Sequence, residues 1–299
     1  ALNTLNGYTT GVITADGVTA VTGTASALNT LLTAGNQTSE FSAASFSSLA
    51  TATVSDSTLS VANLNGAIAQ ANTATGKTDT VFSLSAGATI NTGAESAFTT
   101  LLGYETASQL SITDQNLTVD SGTISVANAR ALSATTSGTV TGTITSGTTI
   151  AAMVDGSSGL TETSNAYTIT IASGDAEATA ANITSLYGKT TVAVDASAVT
   201  QITGSVDAAN IVYAAGASEI TGLGNETVVT TDTSLSDVTT LNTLDGNTTG
   251  TVNAASVNSI TGTLAKLLTA YGSNGITGLG NETITVSAVS YTHLRAHET

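Results

Sequence analysis

Four aspartates are the residues of this chain whose type and position suggest ligand chemistry. Asp56, Asp120, Asp195 and Asp232 each follow a stretch with the pattern of a β-strand. Hard cations prefer carboxylate oxygens, so aspartates aligned from repeat to repeat are candidate ligands for calcium. However, their spacing is irregular and GGxGxD calcium repeats are absent. The alternative is that each aspartate caps its own turn. The sequence predicts no other cofactor.

The residues that catalysis most often needs are scarce. The two histidines, His293 and His297, lie near the C-terminus, and the chain has no cysteine. Unless the C-terminal peptide that holds both histidines is native, Ser-His-Asp and Cys-His nucleophiles are excluded. The acid pair Asp175 and Glu177 could serve glycoside cleavage, but solvated surface acids are the commoner explanation of such a pair. The segment GLGNE lacks the frame of a phosphate-binding loop. We therefore predict that the protein is not an enzyme.

The C-terminal peptide Val289–Thr299, VSYTHLRAHET, does not follow the pattern of the rest. Its His-x-x-x-His spacing would suit a zinc pair on a helix. The peptide nevertheless resembles the translation of a transposase-type sequencing adapter. Residues 288–299 are therefore interpreted as an artefactual tail, and residues 1–287 as a single repeat array. On this interpretation we expect the native chain to continue further.

Composition and charge narrow the class of protein. The 299 residues include 29 glycines, no proline and no tryptophan, and 9% are charged. A hydrophobic content of 40% is enough to build a core rather than a disordered chain. The net charge of −16 disfavours binding to nucleic acids and anionic lipid heads. No apolar run reaches the roughly 18 residues that a membrane span needs.

Repetition runs through the whole sequence. The octapeptide ITGLGNET occurs at Ile220–Thr227 and again at Ile276–Thr283. Residues 1–30 match residues 240–269 at 15 of 30 positions. Identical copies are typical of structural repeats, because the residues of an enzyme site normally occur only once in a chain. The glycines of ITGLGNET predict a tight bend between two elements.

Each repeat combines a strand pattern with a helix pattern. The stretches YTITIAS, TVAVDAS and ETITVSA alternate apolar and polar residues and predict strands that bury Tyr167, Val194 and Ile284 on one face. An Asp or Ser follows, and then a short Ala- and Leu-rich stretch with helical spacing. Ser60, Ser125 and Ser236 precede such stretches and are predicted N-caps.

These repeats recur at roughly 18–36 residues, which is too short to bury a core alone. Successive strands that pair in parallel would bury one continuous core, and the absence of proline fits such a ladder. We therefore predict a mainly β repeat protein, a parallel β-solenoid (β-helix) with short helical segments between the strands. A leucine-rich-repeat-like horseshoe and an array of immunoglobulin-like sandwiches are the rival folds.

The stretches LNTLDGNTTGTVNAASVNSITGT and ITGLGNETITVSA resemble the Thr/Ala-rich repeats of giant secreted or cell-surface proteins of marine bacteria, cyanobacteria in particular. The resemblance covers nearly all of residues 1–287, carries no catalytic signature and transfers no functional residues. It implies an extracellular or cell-surface location.

We expect a non-enzymatic structural segment of a large repeat protein, a fibre, coat or spacer rod that could self-assemble. Its expected partners are itself, neighbouring repeats of the parent protein, or surface glycans. The alternatives are an adhesin stalk or viral fibre that binds glycans or a host surface, and a solenoid carbohydrate-active enzyme.

Overall fold

The computed structural model describes residues 1–76, 78–161 and 164–287. Val289–Thr299, with both histidines, lies outside the described residues, and so does the rest of the proposed tail. The helices of the described part are α1 (Leu2–Asn6), α2 (Ala25–Gly35), α3 (Val61–Thr75), α4 (Glu95–Thr106), α5 (Val126–Thr135), α6 (Ile150–Val154), α7 (Ala180–Tyr187), α8 (Val206–Ala214), α9 (Val238–Asn247) and α10 (Leu264–Gly272).

The strands alternate with these helices along the chain. They are β1 (Ala20–Gly23), β2 (Thr51–Val54), β3 (Thr58–Ser60), β4 (Val81–Ser83), β5 (Thr89–Asn91), β6 (Asn116–Ile124), β7 (Val140–Ile144), β8 (Ala166–Thr168), β9 (Glu177–Thr179), β10 (Val194–Asp195), β11 (Gln201–Gly204), β12 (Ile220–Thr221), β13 (Thr227–Thr230), β14 (Ser234–Leu235), β15 (Val252–Asn253), β16 (Ser259–Gly262), β17 (Ile276–Thr277) and β18 (Thr283–Val286).

The residue before a helix often accepts a hydrogen bond from an amide of the first turn, which explains where these helices begin. Ser125 does so for α5, as the sequence predicts. Ser60 is the N-cap residue of α3, but its side chain makes no capping hydrogen bond within the described structure. The prediction for Ser236 is wrong by one residue: Asp237 caps α9 and accepts from Thr239 N at 2.9 Å. The same capping contact comes from Thr24, Thr179, Ser205 and Thr263.

All sheets of the described part are parallel, and strands pair with strands of the neighbouring repeat. Gln201 pairs with Thr227, 26 residues on, and Val228 pairs with Val252, 24 residues on. The sheet orders are β1-β2-β4, β3-β5-β6-β7-β8, β17-β15-β13-β11-β9, β10-β12 and β14-β16-β18. Helix-containing connections join these strands, as parallel pairing requires.

The predicted β-solenoid is wrong. The described chain is a mixed α/β protein, with parallel strands and helical crossovers of the kind found in Rossmann-like domains. Its sheets are separate and open, and every strand except β6 has only 2 to 5 residues. The Ala- and Leu-rich stretches, interpreted as short segments, extend into helices of up to 15 residues. Because these helices bury much of the apolar surface, the strands need not form one continuous β-helix.

The described chain forms two compact units. Of the described residues, the first comprises those within 1–146, 155–168 and 189–191, and the second comprises those within 147–154, 169–188 and 192–287. In the first, Phe41 and Phe46 pack with ring centroids 5.3 Å apart. In the second, the core consists of aliphatic residues that recur from repeat to repeat. They include Ile202, Val228, Val252 and Ile260 on strands and Val212, Leu241 and Leu244 on helices.

Two further predictions can be compared with the structure. The glycines of ITGLGNET do form bends: Gly222 and Gly278 both have a φ of 84°, a conformation that favours glycine. The strand patterns succeed only in part. Tyr167 and Val194 are buried, whereas Ile284 on β18 is half exposed.

Candidate functional site: carboxylates at the contacts between repeats

Aspartate carboxylates bind the first backbone amide of a helix that lies one repeat earlier in the sequence. The amide belongs to the first helical residue of α2, α6 or α8, and its acceptor follows 25 to 31 residues later. The pairs are Asp56 Oδ2 with Ala25 N (2.6 Å), Asp175 Oδ2 with Ile150 N (2.8 Å) and Asp232 Oδ2 with Val206 N (2.7 Å).

These contacts satisfy an electrostatic need of the helix. The first amides of a helix have no acceptor within it and carry partial positive charge, so a carboxylate at this end stabilises it. At α8, two different repeats supply the acceptors for the amides of the first turn. Ser205, the N-cap, accepts from Ala208 N at 3.1 Å, and Asp232 of the next repeat accepts from Val206 N. The helix start and the following strand are thereby fixed to each other.

Asp120 and Asp195, the other two calcium candidates, also bind backbone amides. Asp120 accepts from Thr92 N at 3.0 Å and from Gly93 N at 2.9 Å, just before α4. Asp195 makes a local turn, with Ser197 N donating to Oδ1 at 3.0 Å. This hydrogen bond lowers the pKa of Asp195.

The structure does not bring the four calcium candidates together. Within residues 1–76, 78–161 and 164–287, no group of three or more His, Cys, Asp or Glu side chains is placed to hold a metal ion. Asp56, Asp120 and Asp232 each bind an amide 26 to 31 residues away. Calcium binding stays a prediction. At these three positions the aspartate accepts from an amide of the preceding repeat, and does not cap its own turn as the alternative prediction had it.

Sequence reasoning missed Glu95, which links α4 to the next repeat. Its Oε1 accepts from Ser125 N at 2.9 Å and from Asn128 Nδ2 at 2.6 Å. Burial raises the pKa of Glu95, but the hydrogen bonds from Ser125 and Asn128 outweigh burial and leave this pKa below its ordinary value. Glu95 is the first residue of α4 and not an aspartate directly after a strand, so the strand–Asp pattern could not find it.

The two copies of ITGLGNET build the same contact twice. In the first copy, both carboxylate oxygens of Glu226 lie within 3.0 Å of Gly224 N, and Tyr213 Oη donates to Oε2 at 2.9 Å. In the second copy, Glu282 accepts from Gly280 N at 2.8 Å and from Tyr271 Oη at 2.8 Å. The tyrosine comes from the preceding helix, so this glutamate ties a helix to the bend that follows it.

The two copies differ in burial. Glu226 is fully buried, while Glu282 is partly exposed. Burial, the hydrogen bond to Glu282 and the charge of Glu282 raise the pKa of Tyr271 to about 12. Burial raises the pKa of Glu282. The hydrogen bonds from the amide of Gly280 and the hydroxyl of Tyr271 have the larger effect together, and the pKa of Glu282 therefore lies below its ordinary value. Both side chains therefore keep their contact at neutral pH, with the glutamate as acceptor.

A pocket of about 510 Å³ lies in the first compact unit and is lined in part by Glu105 and Asp114. Its two acids already have backbone partners: Glu105 Oε2 accepts from Ile112 N at 2.9 Å, and Asp114 Oδ2 accepts from Gly87 N at 3.2 Å. Both carboxylates of the pocket are therefore held in place by backbone amides. The two acids of the candidate pair Asp175 and Glu177 have different surroundings. Asp175 accepts a hydrogen bond from Ile150 N, whereas Glu177 is exposed on β9.

No protein-family model matches this chain, and neither a curated protein nor a solved structure is significantly similar to it. Among the described helices, none combines the length and hydrophobicity that crossing a membrane requires.

Proposed function

We propose that this chain is a non-enzymatic structural segment of a large extracellular or cell-surface repeat protein. One observation carries the proposal: at three places in the chain, a carboxylate binds the first helical amide of the repeat before it. Asp56, Asp175 and Asp232 make this contact in different parts of the chain. Asp120, a further candidate acid, likewise accepts from backbone amides of the repeat before.

A second set of contacts supports the same role. Amide side chains on helices donate to backbone carbonyls of the next helix, as Asn65 does to Ala97 O at 2.8 Å and Asn210 to Thr240 O at 3.0 Å. Each repeat is therefore stabilised by its neighbours in the sequence. Proteins built from nearest-neighbour contacts suit spacing and load-bearing along a surface or fibre, because repeats can be added without changing the design.

Single-molecule force spectroscopy of the full chain tests the proposal. If neighbouring repeats hold one another, unfolding proceeds in several steps. Each step releases one repeat or a small number of repeats, with 20 to 31 residues in each, which is the offset between paired strands. At about 3.5 Å per extended residue, one repeat adds roughly 70–110 Å of length.

A chain with a compact catalytic domain would behave differently. Unfolding in one step that releases the whole described length would contradict a structural role based on repeats. Binding of the full chain to a glycan array, lost on substitution of one surface cluster, would favour the adhesin alternative. Hydrolysis of a polysaccharide would favour the enzyme alternative.

A further inference from the structure

The N-terminal residues have the same local structure as a segment of the second compact unit. A shift of 239 residues aligns 1–30 with 240–269, and it places β1 (Ala20–Gly23) on β16 (Ser259–Gly262). One side-chain contact is also repeated. Asn3 Nδ2 donates to Ala27 O at 2.9 Å, and Asn242 Nδ2 donates to Lys266 O at 3.0 Å. Elements that surround 240–269 therefore show what the surfaces of residues 1–30 can bind.

The second compact unit exposes an apolar face on α10 and β18. Leu268 is 65% exposed and Ile284 is 50% exposed. One repeat earlier, the residue paired with Ile284 is Ile260, which is fully buried. This C-terminal apolar face consists of Leu264, Leu268, Tyr271, Ile284 and Val286.

Leu268 occupies a position that contacts the next helix elsewhere in the chain. Five residues after the N-cap, Asn210 on α8 and Asn242 on α9 each donate to a carbonyl of the following helix. Five residues after Thr263, the N-cap of α10, the chain has Leu268. The exposed leucine therefore marks the surface of α10 on which a further helix would pack.

The first compact unit exposes the complementary surface on and after α1. Leu5 is 48% exposed, whereas its equivalent on α9, Leu244, is fully buried. We define the N-terminal face by Leu2, Leu5, Tyr8 and Val12, of which the last three are exposed.

The strand edges complement each other in the same way. β16 pairs with β14 on one side and with β18 on the other. Among the described strands, β1 pairs only with β2, and β18 pairs only with β16. The open edge of β1 thus corresponds to the side of β16 that faces β14. Unpaired parallel edges with apolar neighbours are templates for another chain.

We propose that the C-terminal apolar face of one copy binds the N-terminal face of a second copy. In this contact β1 of the second copy extends the β14-β16-β18 sheet, with Val21 opposite Ile284, and α1 packs on α10 with Leu5 near Leu268. The proposal rests on the proposed structural function and names its partner. Because each copy carries a net charge of −16, association should strengthen with added salt.

Sedimentation velocity of the full chain over a range of concentration and NaCl tests this. The unchanged chain should associate, and Leu268→Lys or Leu5→Glu should each raise the dissociation constant at least about tenfold. Ile211→Lys is the matched control, since Ile211 is 54% exposed on α8 and lies on neither face. It should leave association unchanged.

Mixing the two interface variants gives the decisive result. Each has lost a different face, so a Leu268→Lys copy can still offer its N-terminal face to the C-terminal face of a Leu5→Glu copy. The mixture should associate under conditions in which each variant alone stays monomeric. A mixture that stays monomeric overturns the proposal, and so does loss of association in the Ile211→Lys control.

A second occupant of the C-terminal apolar face is also tested. If the full chain is monomeric but a chain ending at Ser287 associates, then residues 288–299 cover this face and the proposal fails for the intact chain. Stepwise unfolding under force would still support the proposed structural function in that case. Single-step unfolding together with association would overturn the function and leave the interface standing.

Discussion

Replacing Asp232 with alanine tests whether carboxylates hold adjacent repeats together. The change removes the acceptor of Val206 N, at 2.7 Å, and of Thr230 Oγ1, at 2.8 Å. Loss of a capping side chain costs about 0.5–2 kcal/mol, and a charge near a helix N-terminus contributes about 0.3–1 kcal/mol. Asp232 is half-buried, so we expect the free energy of unfolding to fall by about 1–2 kcal/mol.

Two measurements report this loss. Urea denaturation gives the change in the free energy of unfolding, and hydrogen exchange of the Val206 amide reports the contact itself. If local opening governs exchange, a loss of 1–2 kcal/mol speeds it about 5- to 30-fold. Asp232→Asn, which keeps one oxygen acceptor, should lose less stability than Asp232→Ala.

Asp207→Ala is the matched control. Asp207 is exposed in the first turn of the same helix, so its substitution changes the charge near the helix end without removing the Asp232 contact. Equal losses in Asp232→Ala and Asp207→Ala, or unchanged exchange at Val206, would refute the reasoning. Calcium is tested alongside: stabilisation of the unchanged chain by Ca²⁺ but not by Mg²⁺, abolished in Asp232→Ala, would make Asp232 a metal ligand.

Three further predictions concern single contacts. Burial alone would raise the pKa of Glu95, but the hydrogen bonds from Ser125 and Asn128 hold it below its ordinary value, so these contacts stabilise the fold at neutral pH and are lost as the pH falls through the lowered pKa. Glu95→Gln should lower Tm at neutral pH and make Tm less dependent on pH in the acid range, and an unchanged profile would contradict this. Gly278→Ala should lower the free energy of unfolding by about 1–3 kcal/mol in a thermal melt, because φ is 84° and the added Cβ would lie 2.6 Å from Ala255 N. Gly174→Ala is the control: its added Cβ meets open space, so the free energy of unfolding should hardly change. Asn242 donates to Lys266 O while its buried Oδ1 has no partner among the described residues. Both Asn242→Asp and Asn242→Leu remove the donor, but only Asn242→Asp adds a charge at this oxygen, so urea denaturation should show a loss of about 1–3 kcal/mol for Asn242→Asp and a smaller loss for Asn242→Leu; a larger loss for Asn242→Leu would contradict this.

Local features of the fold could be read from the sequence with good success. Ser125 caps α5, and Gly222 and Gly278 form bends at the predicted places. Capping and positive φ depend on a few adjacent residues, so short sequence patterns carry them. The error at Ser236 has the same local scale. Ser236 and Asp237 are both good N-cap residues, and the structure uses the second.

The fold class could not be read in this way. Alternation around Tyr167 and Ile284 predicts strands, and strands are present at both places. The burial of Ile284 depends on what lies against β18, which no local pattern states. The extent of the helices is also set by tertiary packing, since propensity alone is a weak guide to length. The predicted β-solenoid overestimated the strands for this reason.

The sequence by itself determined that the chain is repetitive, acidic and poor in catalytic residues, and that glycines and capping residues punctuate its elements. Only the tertiary structure decided what the aspartates do. Asp56 and Asp232 follow strands in the sequence, as a calcium ligand or a turn cap would, but their carboxylates meet amides 31 and 26 residues away. The physical reason is that parallel pairing carries the end of one strand to the start of a helix in the preceding repeat. A contact of that kind depends on the register between strands, and the register is fixed by packing across the whole sheet.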